Sequence, residues 1–122
     1  MLSYGEAVTR KGLNLLSGPG NDLVSTTALT AAGAHMILFT TGRGTPFGAP
    51  APTVKISTNT ALYEHKSNWI DFDAGTVIHG ESPDAAADRL LDLVLEIAGG
   101  KQTKAELHGA REISIFKDGV VL

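Results

Sequence analysis

The spacing of apolar and polar residues predicts helices that alternate with short strands. A first helix is expected after Asn21 or Asp22, whose side-chain oxygens can cap its first turn, and it stops at Gly33. Residues 35–41 form an apolar run with the length of a buried strand, and residues 53–57 place Val54 and Ile56 on one face of a second strand.

The second half of the chain continues this alternation. Ser57 or Thr58 can cap a short helix that ends near residue 66. Two further strands and a turn are predicted at residues 69–73, 113–116 and 118–119.

The clearest helix begins with Ser82 as its cap and Pro83 in its first turn, and it ends at Gly99 and Gly100. One apolar stripe is predicted along it, made of Ala87, Leu90, Leu91, Val94, Leu95 and Ala98.

This order of elements predicts one α/β domain over residues 1–122. We expect a three-layer, Rossmann-like architecture with a mainly parallel sheet and helices on both faces. Leu13, Leu15 and Leu16 suggest a short extended piece in the otherwise irregular residues 1–20.

Composition narrows the function classes. The chain has 122 residues, no cysteine and a formal net charge of −3. Thiolate chemistry is therefore excluded, and a nucleic-acid partner is disfavoured. No secretory signal or membrane span is recognisable, so we expect no membrane partner, and the lack of cysteine suits a reducing cytoplasm.

Charge is distributed unevenly along the chain. Residues 23–63 contain no acidic residue, and their only full charges are Arg43 and Lys55. Eleven serine and threonine hydroxyls lie between Ser25 and Thr60. Such a segment suits an anionic ligand, although a buried α/β core is also poor in charge.

The loop of residues 42–48 is the best candidate site. It follows a predicted strand, where parallel α/β sheets bind ligands, and its glycines, Gly42 and Gly44 among them, allow close approach to an anion. Arg43 can grip a carboxylate or phosphate, and three hydroxyl groups are nearby, on Thr40, Thr41 and Thr45. The alternative is a rigid proline-glycine turn, and known nucleotide fingerprints do not match.

Two other junctions could complete a polar crevice. Lys55 precedes Ser57, Thr58 and Asn59, so it could serve as a cation or base beside their polar groups. The segment ending in Asn21 and Asp22 follows two glycines and could hold an anion at a helix start. For Asn21 and Asp22, helix capping is the simpler explanation. For Lys55, the alternative is a surface lysine beside a capping cluster.

Asp71 and Asp73 are the candidate metal ligands. On a strand their carboxylates share a face about 7 Å apart, where they could bind a divalent cation or supply a base. Capping of the next turn is the alternative. The four histidines lack the spacing of a zinc site.

The residues 39–46, Phe-Thr-Thr-Gly-Arg-Gly-Thr-Pro, resemble the C-terminal region of the altronate/galactarate dehydratase family. The resemblance spans nearly the whole chain in the same order. It includes residues 18–22, 52–59, 69–72 with 74–75, 80–81, 111–113 and 116–119.

This resemblance implies a hydro-lyase that dehydrates a sugar acid of the altronate or galactarate type to a 2-keto-3-deoxy acid. It also implies a divalent metal such as iron, bound mainly by regions outside this chain. We then expect the remaining domains of a longer enzyme, and a homo-oligomer, as partners, and little activity from this domain alone.

From residue chemistry we hypothesise that Arg43 binds the substrate carboxylate and that Lys55 neutralises charge or acts as base. The alternative function is a non-catalytic anion-binding or assembly module. A nucleotide-binding domain is a third and weaker possibility.

Overall fold

The computed structural model describes residues 1–115. It contains four α-helices, α1 (Asp22–Ala31), α2 (Thr60–His65), α3 (Pro83–Ala98) and α4 (Lys104–Leu107). Three strands are present, β1 (Ile37–Thr41), β2 (Thr53–Ser57) and β3 (Phe72–Asp73), with a 3₁₀ helix at Gly75–His79. Within this part of the chain, no helix has the length and apolar character needed to cross a bilayer.

The three strands form one parallel sheet in the order β1-β2-β3. The α/β class and the parallel sheet are therefore confirmed, while the three-layer Rossmann-like arrangement stays a prediction. The register aligns Thr41 with Ser57 and Ser57 with Asp73, so the carboxyl ends of all three strands meet at one edge.

Each face of the sheet has its own apolar cluster. Ile37 of β1 packs with Phe47, Ala49 and Ala51 of the following loop, and Leu23 of α1 rests on this group. The opposite face carries a second cluster, Val54, Ile56 and Phe72 with Leu90, Leu93 and Ile97 of α3. Side chains alternate between faces along a strand, and this alternation separates the two clusters.

The predicted face of α3 is wrong in part. The residues that pack on the sheet are Ala86, Leu90, Leu93 and Ile97. Leu91 and Leu95, which the predicted stripe includes, are 56% and 60% exposed. The helix has apolar residues on two adjacent sides, and spacing alone does not tell which side meets the sheet.

Other boundaries also differ from the sequence prediction. Asn59, not Ser57 or Thr58, caps α2 by accepting a hydrogen bond from the amide of Leu62. Ser57 is still part of β2, and its hydroxyl binds the backbone of Asn59. The third strand covers only the end of residues 69–73, because the amides of Trp69 and Ile70 fold back on the carbonyl of Lys66.

The end of the chain is described only as far as residue 115. Residues 113–115 are not in a strand, so the predicted strand at 113–116 is wrong over that stretch. Phe116 and the predicted turn at 118–119 lie outside the described residues. The sequence prediction missed α4, although its Thr103-x-x-Glu106 pattern makes a complete capping box.

An arginine holds the turn between the 3₁₀ helix and α3. Arg89 pairs with Glu81 through Nε and Nη2, both at 2.7 Å, and its Nη2 also reaches the hydroxyl of Thr76. The hydrogen bonds that Glu81 accepts from Arg89 and from Thr76 lower its pKa to about 2. This carboxylate therefore stays ionised in all but strongly acidic solution.

Gly75 marks the closest approach between the end of β3 and the start of α2. A Cβ atom at this position would lie 2.3 Å from the backbone nitrogen of Thr60, where no side-chain movement can relieve the clash. We expect Gly75→Ala to lower the free energy of unfolding by about 1–3 kcal/mol, as overpacking does elsewhere.

Urea unfolding measures this effect. Gly18→Ala is the matched control, because a Cβ there meets nothing within 4 Å. The control should change stability by no more than about 0.5 kcal/mol. Equal effects of the two substitutions would contradict the packing argument.

Candidate functional site

The loops that follow β1 and β2 lie side by side, as the sequence predicted. The amide of Thr58 donates to the carbonyl of Thr41, at 3.1 Å. The Asn59 side chain donates from Nδ2 to the carbonyl of Gly42, at 3.3 Å. Residues 41–45 and 57–59 therefore form one continuous polar edge, which we call the strand-end site.

The amides of the glycine loop are used inside the protein. Oγ1 of the buried Thr41 accepts hydrogen bonds from the amides of Arg43, at 3.3 Å, and Gly44, at 2.8 Å. Gly44 has a φ of +78°, a conformation that favours glycine and lets the chain turn around the threonine oxygen. These two amides are therefore not available to an anion outside the loop. The glycine pattern alone had suggested that they would be.

The carbonyls of the same loop are held by lysine and tryptophan side chains. Lys66 Nζ donates to the carbonyls of Arg43 and Gly44, both at 3.1 Å. The carbonyl of Thr45 accepts from Lys55 Nζ and, at 3.1 Å, from Trp69 Nε1. Neither Lys66 nor Trp69 is recognisable in this role from the sequence, although both lie within or beside predicted elements.

Lys55 is fully buried, as is the uncharged Ser57, and it is the most deeply buried of the charged candidate residues. Its ammonium lies 4.8 Å from the ring centroid of Phe47 and 4.4 Å from that of Trp69. Burial lowers the pKa of Lys55 to about 8, with the negative charges of Asp71 and Glu112 opposing the shift. In this arrangement the ammonium faces the loop backbone and two aromatic rings rather than solvent.

Arg43 is the opposite case. Its side chain is exposed and, within residues 1–115, its guanidinium has no hydrogen-bond or ion-pair partner. Thr40 and Thr58 are also exposed, while Thr41 and Ser57 are buried and bind backbone groups. The groups available to an external ligand are thus fewer than the predicted set.

Asn21 and Asp22 lie at the margin of the strand-end site. Asn21 caps α1 by accepting from the amides of Leu23 and Val24, which supports the capping interpretation. Asp22 accepts a hydrogen bond from the hydroxyl of Thr45 at 3.4 Å. The start of α1 and the glycine loop therefore meet, with a carboxylate at the contact.

Residues 1–121 match the family model described as D-galactarate/Altronate dehydratase, C-terminal. This chain belongs to that family. It is 54% identical over 122 residues to altronate dehydratase of Escherichia coli K12 and 49% identical over 123 residues to that of Bacillus subtilis 168. Each of these matches covers 100% of the chain and 25% of the relative.

A more distant relative extends the comparison. The chain is 36% identical over 104 residues to the galactarate dehydratase (L-threo-forming) of Escherichia coli K12. That match covers 84% of the chain and 20% of the relative. The chain thus spans about a quarter or less of the length of these dehydratases.

The candidate ligands Asp71 and Asp73 of this family member do not fit a metal site in the described part of the chain. Both carboxylate oxygens of Asp71 accept backbone amides at 2.8 Å, from Lys55 and from Lys104. Asp73 accepts from the amide of Gly75, also at 2.8 Å, at the start of the 3₁₀ helix. Within residues 1–115, no three histidine or carboxylate side chains converge on a common point. The turn-capping alternative accounts for these contacts of Asp73.

The pKa of Lys55 makes the stability of the domain depend on pH in a defined window. It is about 8 in the folded chain and 10.5 in the unfolded reference, so the unfolded chain binds more protons between these values. The free energy of unfolding should therefore rise with pH across this window, by at most about 1.4 kcal/mol per pH unit. Lys55→Met lacks this titration.

Urea unfolding at pH values below, within and above the window tests this prediction. The stability of the wild-type chain relative to Lys55→Met should increase as pH rises through it. Lys101→Met, at an exposed position, is the control and should follow the wild type. A constant difference between wild type and Lys55→Met would show that the buried amine does not titrate there.

Proposed function

We propose that this domain contributes to the dehydration of a sugar acid of the altronate or galactarate type, giving a 2-keto-3-deoxy acid. The match to the dehydratase family over residues 1–121 is the observation that carries the proposal. The guanidinium of Arg43, which has no partner within residues 1–115, lies in a segment without acidic residues from 23 to 63 and supports the proposal, because the substrate is an anion.

The reaction defines what the protein must supply. A base removes the proton from C2, next to the carboxylate, and hydroxide leaves C3 with the help of an acid. The enol that results becomes the 2-keto-3-deoxy acid. Negative charge builds up on the carboxylate side of the substrate during proton removal, so a cation positioned there lowers the barrier.

Arg43 is the residue that we assign to the substrate carboxylate. Its two parallel N–H groups match a carboxylate, and the lysine and threonine contacts hold its backbone rigidly. Thr40 and Thr58, both exposed residues, are the candidates for binding sugar hydroxyls. The Thr58 hydroxyl donates to the carbonyl of Thr41 at 3.4 Å, so it would act as an acceptor. For Lys55 the burial favours a positioning role through the carbonyl of Thr45 over direct contact with substrate.

A divalent metal, iron in our expectation, would supply Lewis-acid stabilisation of the developing charge. We propose that its ligands lie mainly outside the described residues, with other regions of a dehydratase and a second subunit as partners. The cysteine-free sequence fits a reducing compartment, and we propose a cytoplasmic location on that basis.

A chimera tests the proposed function directly. The quarter of the Escherichia coli altronate dehydratase that matches this chain is replaced by it; the two are 54% identical over 122 residues. We expect the chimera to dehydrate altronate, with product formation and iron dependence measured against the parent. A folded, iron-loaded chimera without dehydratase activity would contradict the proposal.

Substitution of Arg43 in the same chimera tests its role. Loss of a charge-assisted hydrogen-bond pair should lower kcat/KM by roughly 10–100-fold in Arg43→Ala, with a smaller loss in Arg43→Lys. Lys101→Ala is the control, since it removes an exposed cation remote in sequence from the site. Full activity of Arg43→Ala would show that Arg43 does not take part in catalysis. It would then favour the alternative that this domain is a non-catalytic assembly module.

A further inference from the structure

The outer side of α3 carries an apolar row that the rest of the described chain does not cover. Leu91 and Leu95 are 56% and 60% exposed, and Ala87 and Ala98 on the same side are also exposed. Residues three or four apart are neighbours on a helix, so these side chains form one continuous row. The row is distinct from the side of α3 that packs on the sheet.

A row of acidic residues borders this apolar row. Asp84, Asp88 and Asp92 are spaced four apart and exposed, and none forms an ion pair within the described residues. Asp88 lies three residues before Leu91, and Asp92 lies three before Leu95, so the two rows are adjacent. We call the two rows together the α3 patch.

A surface of opposite character lies near the start of the chain. Leu13 is 94% exposed, and it follows Arg10 and Lys11, which are exposed and form no ion pair within residues 1–115. Asn14 holds this loop in place by donating to the carbonyls of Arg10 and Gly12, at 3.0 and 2.9 Å. We call residues 10–14 the basic loop.

The other cations of the described chain are already engaged or belong to the strand-end site. Lysines at three positions donate to backbone carbonyls, and three further cations are in ion pairs. These are Lys55, Lys66 and Lys104, followed by Arg89, Lys101 and Arg111. With Arg43 assigned to the site, Arg10 and Lys11 are the cations among residues 1–115 that remain to complement the acidic row.

We propose that the α3 patch binds the basic loop of a second copy of this chain. Leu13 of one copy would pack between Leu91 and Leu95 of the other, and Arg10 and Lys11 would meet the aspartate row. A two-fold contact between antiparallel α3 helices fits less well, because the aspartate row at its margin would meet its own symmetry copy. The opposite charges at the edge of the contact would fix how the two copies align, and the leucines that become buried in it would supply the affinity.

Sedimentation velocity over a range of protein concentrations tests this contact. The wild-type chain should self-associate, more weakly at high ionic strength because the rim pairs are screened. Leu13→Ser and the pair Leu91→Ser with Leu95→Ser should each weaken association by at least about tenfold. Ile78→Ser and Glu64→Lys, at exposed positions outside both patches, are the controls and should associate as the wild type does.

Charge reversal makes the test specific. Arg10→Glu with Lys11→Glu, or Asp88→Lys with Asp92→Lys, should each weaken association, and the four substitutions together should restore it. Asp84 is left in place because it favours the start of α3. Circular dichroism checks that each variant is folded.

Two results would overturn the proposal. One is a wild-type chain that stays monomeric throughout the concentration range. The other is association that the leucine substitutions leave unchanged or that the combined reversal does not restore, which would place the contact elsewhere. Neither result bears on dehydratase activity in the chimera, so the proposed function and this contact can fail independently.

Discussion

The backbone carbonyl of Thr45 accepts hydrogen bonds from Lys55 Nζ and Trp69 Nε1, and the position of the glycine loop depends on this contact. Lys55 comes from the central strand, and Trp69 comes from the turn before β3. One oxygen atom therefore links the loop to the central strand and to the turn before β3. Because the ammonium is buried between aromatic rings, the domain accepts a large desolvation cost to keep this contact.

The same contact explains why the loop can present Arg43 outward. The amides of Arg43 and Gly44 donate to Thr41, and the loop carbonyls accept from two lysines and a tryptophan. Most polar groups of the loop backbone are therefore held by hydrogen bonds. A guanidinium on such a support pays less entropy when it binds a carboxylate than one on a mobile loop. Arg43 is therefore preorganised by the hydrogen bonds that the loop backbone makes inside the protein. The sequence had instead suggested that the backbone amides of the loop face the ligand.

Local signals in the sequence were enough for the elements and for the edge where the site lies. The cap at Ser82, the strand Thr53–Ser57 and the helix after Asn21 were all predictable, because each depends on residues close together in the chain. The contacts of Lys55 and Asp71 were not predictable, since their partners lie 10 to 33 residues away. The packing side of α3 was missed for a related reason, because the sheet decides between two apolar sides of the helix.

The far end of the glycine loop depends on residues near the end of the described chain. Gly48 donates to the carboxylate of Glu112 at 2.8 Å, and its carbonyl accepts the amide of Glu112 at 2.7 Å. This pairing closes a loop of 64 residues, which is slow and entropically costly compared with local contacts. A growing chain on the ribosome would thus form its helices and sheet first, and it would acquire the final shape of the glycine loop only after Glu112 has emerged.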